Sequence, residues 1–386
     1  MAAKLSRRSG VDPFIVMEVM RAANARVAQG GDVLHMEVGQ PSSGAPRGAV
    51  DALKHALDQG PLGYTEAMGD LALRRRIARH YADTYGVAVP WERVAVTTGS
   101  SAAFLLSFLA AFDPGDRVVL TDPSYPCYRN ILGALGVEIV NVPVGADTRF
   151  QATPAVLDRV QGDIAGLVVA SPSNPTGSML GAAELAALAG YCDERGIRLV
   201  SDEIYHGIVY GEPAATALAS TDQAIVINSF SKYFSMTGWR VGWMVLPEAM
   251  VGPVERLAQN LFIAPPSLSQ VGALAAFDCT AELDANVARY ARNRALLLEA
   301  LPRAGIETFA PPDGAFYLYA DIGSLTDDSR AFCARLLAET GVAATPGIDF
   351  DAGRGNRFMR FSFAGATEDM AEAARRIARW LGRPAG

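Results

Sequence analysis

The sequence predicts an α/β protein: a large domain whose mostly parallel sheet is sandwiched by helices, followed by a smaller α+β domain. Three observations support this prediction. The chain has 386 residues, of which 50% are hydrophobic, and this is enough for a large buried core. Short apolar runs alternate with helical patterns through its central part, as in sheets covered by helices. After about residue 280 this alternation stops and a different order of patterns begins.

Six apolar runs in the central part have the length and composition of buried strands. They lie at residues 94–98, 117–121, 166–170, 198–201, 224–228 and 241–246. Amphipathic stretches separate several of these runs, and the clearest, residues 182–195, ends immediately before Gly196. Because glycine commonly follows the last residue of a helix, this stretch is predicted to be a helix that covers the sheet.

The pattern of the C-terminal part of the sequence predicts a second domain. Its patterns are a long helix, an alternating strand and two further helices, at residues 283–301, 315–319, 329–339 and 367–381. We therefore predict a large domain at residues 47–282 and a small C-terminal domain at residues 283–386. Residues 1–46 are predicted to form an N-terminal segment that belongs to the small domain.

Composition and charge exclude several classes of protein. Acidic residues outnumber basic ones by 41 to 34, which argues against a nucleic-acid partner because that function needs a basic face. The uncharged apolar stretch at residues 101–112 is too short to span a membrane. The basic start of the chain lacks the apolar run of a signal peptide, since Gly10, Asp12 and Pro13 stand there.

The cysteines and histidines predict neither a metal site nor a disulfide. No Cys-x-x-Cys pair occurs, and the histidines lack the spacing of metal ligands. The cysteines are far apart, at Cys127, Cys192, Cys279 and Cys333. We therefore expect a reducing, cytoplasmic setting.

Polar and ionisable residues follow the predicted strands at their carboxyl ends. In open α/β sheets, ligands bind outside these ends. The segments concerned are residues 99–101, 122–125, 171–177, 202–205 and 229–232. The sequence therefore predicts a binding site at this edge of the sheet.

The most informative of these segments contains Lys232, which lies among small hydroxyl residues directly after a buried strand. Arg240 follows eight positions later. A lysine in such a place forms a Schiff base with a carbonyl compound if its amine loses its proton near neutral pH. A lone lysine is more often a solvated loop residue, and it is the residues around Lys232 that favour the Schiff base.

The segment Ser229-Phe230-Ser231-Lys232, with Arg240 behind it, resembles the cofactor-lysine motif of the class I/II aminotransferases. These are enzymes of fold-type I that use pyridoxal 5′-phosphate (PLP). The resemblance extends from Gly39 to Arg360, with six motifs in the family's order. It implies that PLP is the cofactor and that Lys232 is the catalytic lysine that carries it.

The resemblance also implies which residues hold the cofactor ring. Asp202, in an Asp-x-x-Tyr motif, matches the partner of the pyridine nitrogen, whose protonation makes the ring an electron sink. Tyr205 and Asn174 match the donors to the ring oxygen. Tyr125 matches the aromatic residue that stacks on the ring. For Asp202 the alternative is a helix cap, and for Tyr125 it is a buried core tyrosine.

The phosphate site is predicted where a strand meets an apolar helix. Backbone N–H groups and the helix dipole at such a junction favour an anion. The contacts that the resemblance implies come from Gly99, Ser100, Ser101, Ser229, Ser231 and Arg240. The serines also suit simple helix capping, and the two interpretations are compatible.

Substrate binding is predicted to depend on an arginine, because a planar two-donor fork matches a carboxylate. Arg360 matches the family's late arginine better than its neighbour Arg357, since Arg360 and Ser362 together fit the pattern. Gly39 matches an early glycine whose backbone approaches the same carboxylate, and Asn174 also lies on the substrate side by resemblance.

The resemblance implies a ping-pong transfer of an amino group between an L-amino acid and a 2-oxo acid. It also implies a homodimer with shared active sites, since Tyr64 matches a tyrosine that reaches the neighbouring subunit's phosphate. A PLP-dependent β-lyase, synthase or decarboxylase on the same scaffold is the alternative. A PLP-sensing regulator fits less well, since no basic helix-turn-helix precedes Gly39.

The side-chain specificity of the substrate is less well determined. Some aspartate-using relatives have a lysine in the glycine-rich segment, where this chain has Gly99-Ser100-Ser101, and this weakens an aspartate assignment. The N-terminal apolar residues Val11, Phe14, Ile15 and Met17 suggest a flap over the substrate. An ordinary amphipathic helix explains the same pattern.

Overall fold

Residues 3–383 are described by the structure, a computed structural model. Within this range the α-helices are α1 (Ile15–Ala28), α2 (Arg47–Asp58), α3 (Leu71–Tyr85), α4 (Gly99–Ala111), α5 (Pro126–Leu135), α6 (Pro154–Leu157), α7 (Ala182–Arg195), α8 (Glu248–Leu261), α9 (Ser267–Ala276), α10 (Thr280–Arg303), α11 (Ser329–Thr340) and α12 (Thr367–Trp380). The strands are β1 (Leu34–His35), β2 (Val94–Thr97), β3 (Arg117–Asp122), β4 (Glu138–Pro143), β5 (Gly166–Ala170), β6 (Arg198–Asp202), β7 (Ile225–Ser229), β8 (Gly242–Val245), β9 (Thr308–Phe309), β10 (Tyr317–Asp321), β11 (Val342–Ala343), β12 (Thr345–Pro346) and β13 (Phe358–Ser362).

The central sheet has seven strands in the order β2-β8-β7-β6-β5-β3-β4. Strand β8 is antiparallel to both of its neighbours, and the remaining pairs are parallel. The predicted α/β fold with a mostly parallel sheet is confirmed, and all six predicted strands belong to this sheet. Strand β4 was not predicted, because exposed polar residues such as Glu138 and Asn141 interrupt its apolar pattern at the sheet edge.

Both faces of the sheet are buried. Successive side chains in a strand point to opposite sides, so adjacent residues pack into two different cores. Val168 and Val200 are paired across β5 and β6 and belong to the core that contains the apolar face of α4. Leu167 and Leu199, one position earlier, pack into the opposite core with residues of α7. Helices on both sides therefore fix the sheet and the positions of its strand ends.

Helix α7 shows how the local sequence determines where a helix begins and ends. The carboxylate of Glu184 accepts a hydrogen bond of 2.7 Å from the backbone N–H of Gly181. At the other end Gly196 adopts a left-handed conformation with φ of 67°, which costs glycine no steric strain. The helix therefore occupies residues 182–195, as predicted.

A second, antiparallel sheet has the order β12-β13-β10-β9, and β1 pairs in parallel with β11. The predicted strand at 315–319 begins later, at Tyr317, because Ala315 has a φ of 56° and donates instead to the carbonyl of Ile208. The predicted C-terminal helices are present as α10, α11 and α12.

The N-terminal segment is hydrogen-bonded to the C-terminal part of the chain. Met36 donates to the carbonyl of Ala343 at 3.0 Å and accepts a bond of 2.7 Å from the N–H of Ser362. These contacts agree with a small unit formed from both ends of the chain. The boundaries 1–46, 47–282 and 283–386 stay predictions, and residues 1–2 and 384–386 lie outside the described range.

Within residues 3–383 no helix combines the length and apolarity that crossing a membrane requires. The same residues contain no group of three or more His, Cys, Asp or Glu side chains placed to hold a metal ion. All four cysteines are free thiols, and Cys192 and Cys333 are buried.

Candidate active site

A cavity of about 220 Å³ lies beside the carboxyl ends of β5, β6 and β7, and residues of β10 and β13 also line it. The structure brings all but three of the predicted site residues to its walls. Those that line it are Gly39, Ser100, Ser101, Tyr125, Asn174, Asp202, Tyr205, Ser231, Lys232, Arg240 and Arg360. The strand ends therefore form one site, although these residues are spread over more than three hundred positions.

The three exceptions are Gly99, Ser229 and Tyr64. Gly99 lies behind the wall, and a Cβ there would approach Nη2 of Arg240 to 2.5 Å. Ser229 is buried beneath Ser231, and its Oγ donates to Oγ of Ser231 at 2.9 Å. The side chain of Tyr64 is 87% exposed and does not reach the cavity of its own chain.

Lys232 follows β7 and places its amine in the cavity. Its Nζ donates a hydrogen bond of 2.7 Å to the carbonyl of Gly39. Desolvation, followed by the positive charge of Arg360, lowers the pKa of Lys232 to about 8. The chain has only two other lysines, Lys4 and Lys54, and both are exposed. Lys232 is therefore the single lysine amine available for chemistry in this cavity.

Asp202 ends β6, and both of its carboxylate oxygens are held. Oδ1 accepts a bond of 3.1 Å from the backbone N–H of Ile204, and Oδ2 accepts a bond from the hydroxyl of Tyr128. Burial raises the pKa of Asp202 to about 6, although the bond from Tyr128 opposes this rise. The carboxyl group is fixed in place and is mainly ionised at neutral pH.

Arg360, on β13, is held by three hydrogen bonds. Nη1 donates to Oδ1 of Asn174 at 2.7 Å, and Nη2 donates to the carbonyl of Glu37 and to Oγ1 of Thr345. A guanidinium has five N–H donors, so two remain. One of these is the buried Nε–H of Arg360, which has no partner among the described residues. The fixed fork retains donors for a carboxylate.

Arg357, the alternative considered from the sequence, lies elsewhere. Its side chain is 58% exposed and pairs with Asp321, at 2.8 Å between Nη2 and Oδ2. It does not line the cavity. The geometry therefore favours Arg360 as the carboxylate-binding residue.

One end of the cavity is suited to an anion. Ser100 and Ser101 lie in the first turn of α4, where N–H groups lack helical partners. Arg240 lies beside them, and its Nη1 donates to the carbonyl of Thr237 at 3.1 Å. The absence of a side chain at Gly99 lets this guanidinium approach the helix. Helix dipole, N–H groups and guanidinium together form a cradle that suits an anion.

Several lining residues were not identified from the sequence. They are Val16, Val38, Ile204, Thr237 and Tyr317. Of the apolar N-terminal residues that suggested a flap, Phe14 and Met17 do line the cavity, whereas Val11 is exposed. The ring of Phe14 meets that of Tyr125 edge-on, with centroids 5.7 Å apart. Whether this segment moves stays a prediction.

The N-terminal segment is anchored by a residue far away in the chain. The carboxylate of Asp349 accepts hydrogen bonds of 3.1 and 3.2 Å from the N–H groups of Ile15 and Val16, the first residues of α1. Asp349 is buried, and the burial raises its pKa. No local capping motif at the start of α1 signals this contact in the sequence.

The residues present fit PLP. The cavity offers a lysine amine with a lowered pKa, a buried carboxylate, and an aromatic ring at Tyr125. The cradle at Gly99, where a Cβ would collide with Arg240, suits the cofactor's phosphate.

Comparisons with known proteins agree with this geometry. The profile of the family "Aminotransferase class I and II" matches residues 31–377. A valine–pyruvate aminotransferase of Mycobacterium tuberculosis is 51% identical over 385 residues, covering 99% of both chains.

Solved structures show the same similarity. An aminotransferase from Mycobacterium tuberculosis superposes with a TM-score of 0.97 at 50% identity, covering 99% of this chain and 100% of that one. Aspartate aminotransferase from Thermus thermophilus, solved with maleate, has a TM-score of 0.92 at 31% identity, covering 98% and 100%. The chain therefore belongs to the class I and II aminotransferases, PLP-dependent enzymes that move amino groups between amino acids and 2-oxo acids.

Proposed function

We propose that this aminotransferase exchanges an amino group between a neutral aliphatic amino acid, such as valine, and pyruvate. The observation that carries the proposal is the charge of the cavity wall. Among the described lining residues the cations are Lys232, Arg240 and Arg360, and each has a task at the cofactor or the α-carboxylate. No lining cation remains for a side-chain carboxylate. The name of the relative that is 51% identical, a valine–pyruvate aminotransferase, supports the same choice.

The substrate side chain would contact an apolar part of the wall. Phe14, Val16 and Met17 line the cavity at the start of α1, and Val38 lies beside Gly39. Burying an aliphatic side chain there contributes about 0.8 kcal/mol for each CH₂ group removed from water. A charged side chain at the same place would lose hydration without gaining a partner.

We assign the cofactor contacts to residues at the strand ends. Lys232 is the covalent attachment point, Asp202 is the partner of the ring nitrogen, and Tyr205 and Asn174 are the donors to the ring oxygen. PLP, when bound, supplies an electron sink that weakens the bonds at the substrate α-carbon. Ser100, Ser101, Ser231 and Arg240 hold the phosphate, with Gly99 and Ser229 behind them, and Tyr125 covers the ring.

Lys232 also moves the proton. Its pKa of about 8 leaves an appreciable fraction of neutral amine at physiological pH, and a neutral amine can accept the α-proton. The carbonyl of Gly39 accepts a hydrogen bond from Nζ and so limits the positions that the amine adopts. The positive charge of Arg360 helps keep the pKa in this range.

Arg360 orients the substrate. Asn174 and Thr345 fix the plane of its guanidinium before the substrate binds, so little further ordering is needed. A hydrogen bond to a charged group contributes roughly 1.5–3 kcal/mol, which corresponds to about a tenfold to hundredfold effect on binding.

The active unit is proposed to be a homodimer in which Tyr64 reaches the partner's phosphate cradle. Tyr64 is highly exposed, and Leu62, Leu261 and Ile263 are exposed apolar side chains, as expected for a surface that another chain covers. Mixing Lys232→Ala subunits with Tyr64→Ala subunits should restore activity, because one site of the mixed dimer is then intact. Failure to restore activity with correctly mixed dimers contradicts the shared site.

A cytoplasmic location is part of the same proposal. It is supported by the four free cysteines, two of which are buried thiols.

The experiment that tests the substrate class is a half-reaction screen. The PLP form is mixed with single amino acids, and the conversion of the cofactor absorbance is followed by stopped flow. Valine and alanine should convert at least a hundredfold more efficiently than aspartate and glutamate. Faster conversion by aspartate contradicts the proposal, and release of pyruvate and ammonia without any added oxo acid supports a β-lyase instead.

A further inference from the structure

We propose that Tyr317 is a positioning residue that orients both Arg360 and Tyr205, and that its hydroxyl group is the reason why residue 39 is glycine. The proposal rests on the proposed function for the roles of Arg360 and Tyr205. The contact between residues 39 and 317 is independent of those roles.

The ring of Tyr317 supports the carboxylate-binding arginine. Tyr317 pairs with Ser362 across β10 and β13, so it is the diagonal neighbour of Arg360 on the same face of the sheet. Cζ of Arg360 lies 4.4 Å from the centroid of this ring and 4.8 Å from that of Phe350. Contacts with two aromatic rings favour one orientation of the guanidinium, because cations are attracted to ring faces.

The hydroxyl of Tyr317 reaches the cofactor side of the cavity. It shares a hydrogen bond of 2.7 Å with the hydroxyl of Tyr205. The two rings meet edge-on, with centroids 5.6 Å apart. Tyr317 itself is 1% exposed and therefore has little freedom to move. One rigid side chain thus connects the residue that holds the substrate carboxylate with a residue that holds the cofactor.

The same hydroxyl excludes a side chain at position 39. A Cβ built on Gly39 would lie 1.8 Å from Oη of Tyr317 and 2.9 Å from its Cζ. Neither distance is compatible with non-bonded contact, so an alanine would displace Tyr317 or the segment that carries residue 39. The glycine is needed here for space, since its φ lies outside the left-handed region.

Displacement of that segment would disturb two proposed functional groups. The carbonyl of Glu37 accepts a hydrogen bond from Arg360, and the carbonyl of Gly39 accepts one from Lys232. Thr345 also donates to the carbonyl of Glu37, at 2.9 Å, so this segment is already fixed from the other side. A clash between residue 39 and Tyr317 would therefore shift the hydrogen-bond acceptors of both Arg360 and Lys232.

The test is a double-mutant cycle in the PLP-loaded enzyme with Gly39→Ala, Tyr317→Phe and the double variant. Gly39→Ala should lower kcat/KM at least a hundredfold. Tyr317→Phe should lower it about tenfold or less, because the ring beneath Arg360 stays. The double variant should recover part of that loss and be at least threefold better than Gly39→Ala alone, since removal of Oη moves the closest contact from 1.8 to 2.9 Å, a distance that still requires a small shift of the ring.

Two further readouts separate positioning from a general structural effect. The affinity of the loaded enzyme for 3-methylbutanoate, measured by calorimetry, should fall at least tenfold in Tyr317→Leu, which loses the ring, and less than threefold in Tyr317→Phe. The unfolding midpoint of the cofactor-free protein should fall in Gly39→Ala and recover in the double variant. Tyr319→Phe is the matched control, because its buried hydroxyl has no partner among the described residues and lies outside the cavity wall.

The proposal is overturned if the double variant is no better than Gly39→Ala in both kcat/KM and unfolding midpoint. It is also overturned if Tyr317→Leu binds 3-methylbutanoate as the parent does. A parent enzyme that converts no amino acid defeats the proposed function instead, while the unfolding midpoints still report the coupling of residues 39 and 317.

Discussion

The hydroxyl of Tyr128 donates a hydrogen bond to Oδ2 of Asp202, at the end of β6. Tyr128 is buried, and its ring packs 5.0 Å from that of Phe104. The tyrosine therefore fixes the carboxylate while lowering its pKa, against the larger opposing effect of burial. Its contact with Asp202 therefore places Tyr128 on the cofactor side of the cavity.

Replacing Tyr128 by phenylalanine should move the acidic limb of PLP binding by the cofactor-free protein to higher pH. Asp202 binds the ring nitrogen when it is ionised, its pKa in the cofactor-free protein is about 6, and loss of the bond from Tyr128 raises that pKa further. The PLP affinity lost should be several-fold at pH 6 and smaller at pH 8.5. Tyr319→Phe should leave the profile unchanged. An acidic limb that does not move in Tyr128→Phe contradicts this role.

Replacing Arg360 by lysine should raise KM for the amino acid about a hundredfold, because an ammonium group cannot reproduce the two-donor fork. The effect on kcat should be smaller than that on KM if the arginine mainly binds the carboxylate. Steady-state kinetics with valine and pyruvate measure both constants. The matched control is Arg357→Lys, which changes an exposed arginine three positions away and should leave KM within twofold. If KM rose more in Arg357→Lys than in Arg360→Lys, Arg357 rather than Arg360 would be the carboxylate-binding residue.

Replacing Asp349 by alanine should release the start of α1. The variant loses the acceptor of two backbone N–H groups, and loss of such a cap costs about 1 kcal/mol. Phe14 and Val16 would then pack less firmly on the cavity, so KM for valine should rise about three- to tenfold. Calorimetric unfolding and kinetics measure the two effects. If the unfolding midpoint fell while KM stayed unchanged, Asp349 would stabilise the fold without affecting substrate binding.

Capture of PLP by the cofactor-free protein should depend on pH through Lys232. Desolvation lowers the pKa of this lysine to about 8, and only the neutral amine attacks an aldehyde. The capture rate should therefore rise as pH increases through about 8 and level off above it. Stopped-flow absorbance gives the profile. A midpoint near the ordinary lysine value of about 10.4 would show that the cavity does not lower the pKa.

The parts of the fold that follow from local pattern were predictable. The central strands are continuous apolar runs because both faces of the sheet are covered, and polar segments at their ends mark the site. Strand β4 was not predicted because it is an edge strand with exposed residues such as Asn141. In such a strand the apolar pattern depends on neighbours that a sequence does not show.

Contacts between distant residues were the part of the site that the sequence could not provide. Asp349 caps a helix that begins at Ile15, and the hydroxyl of Tyr317, on β10, approaches Gly39 from a position 278 residues later in the chain. A sequence motif identified Gly39, but the steric reason why a glycine is needed there became visible only from the position of Tyr317. Residues within one motif, such as Ser231 and Lys232, required no such information.

The measurement that tests the central claim most directly locates the cofactor on the chain. The PLP-loaded enzyme is reduced with borohydride, digested, and analysed by peptide mass spectrometry. Since the chain has only three lysines, the result is unambiguous. We predict a single pyridoxyl adduct on the peptide that contains Lys232. An adduct on Lys4 or Lys54, or no adduct in protein that turns over amino acids, would contradict the account.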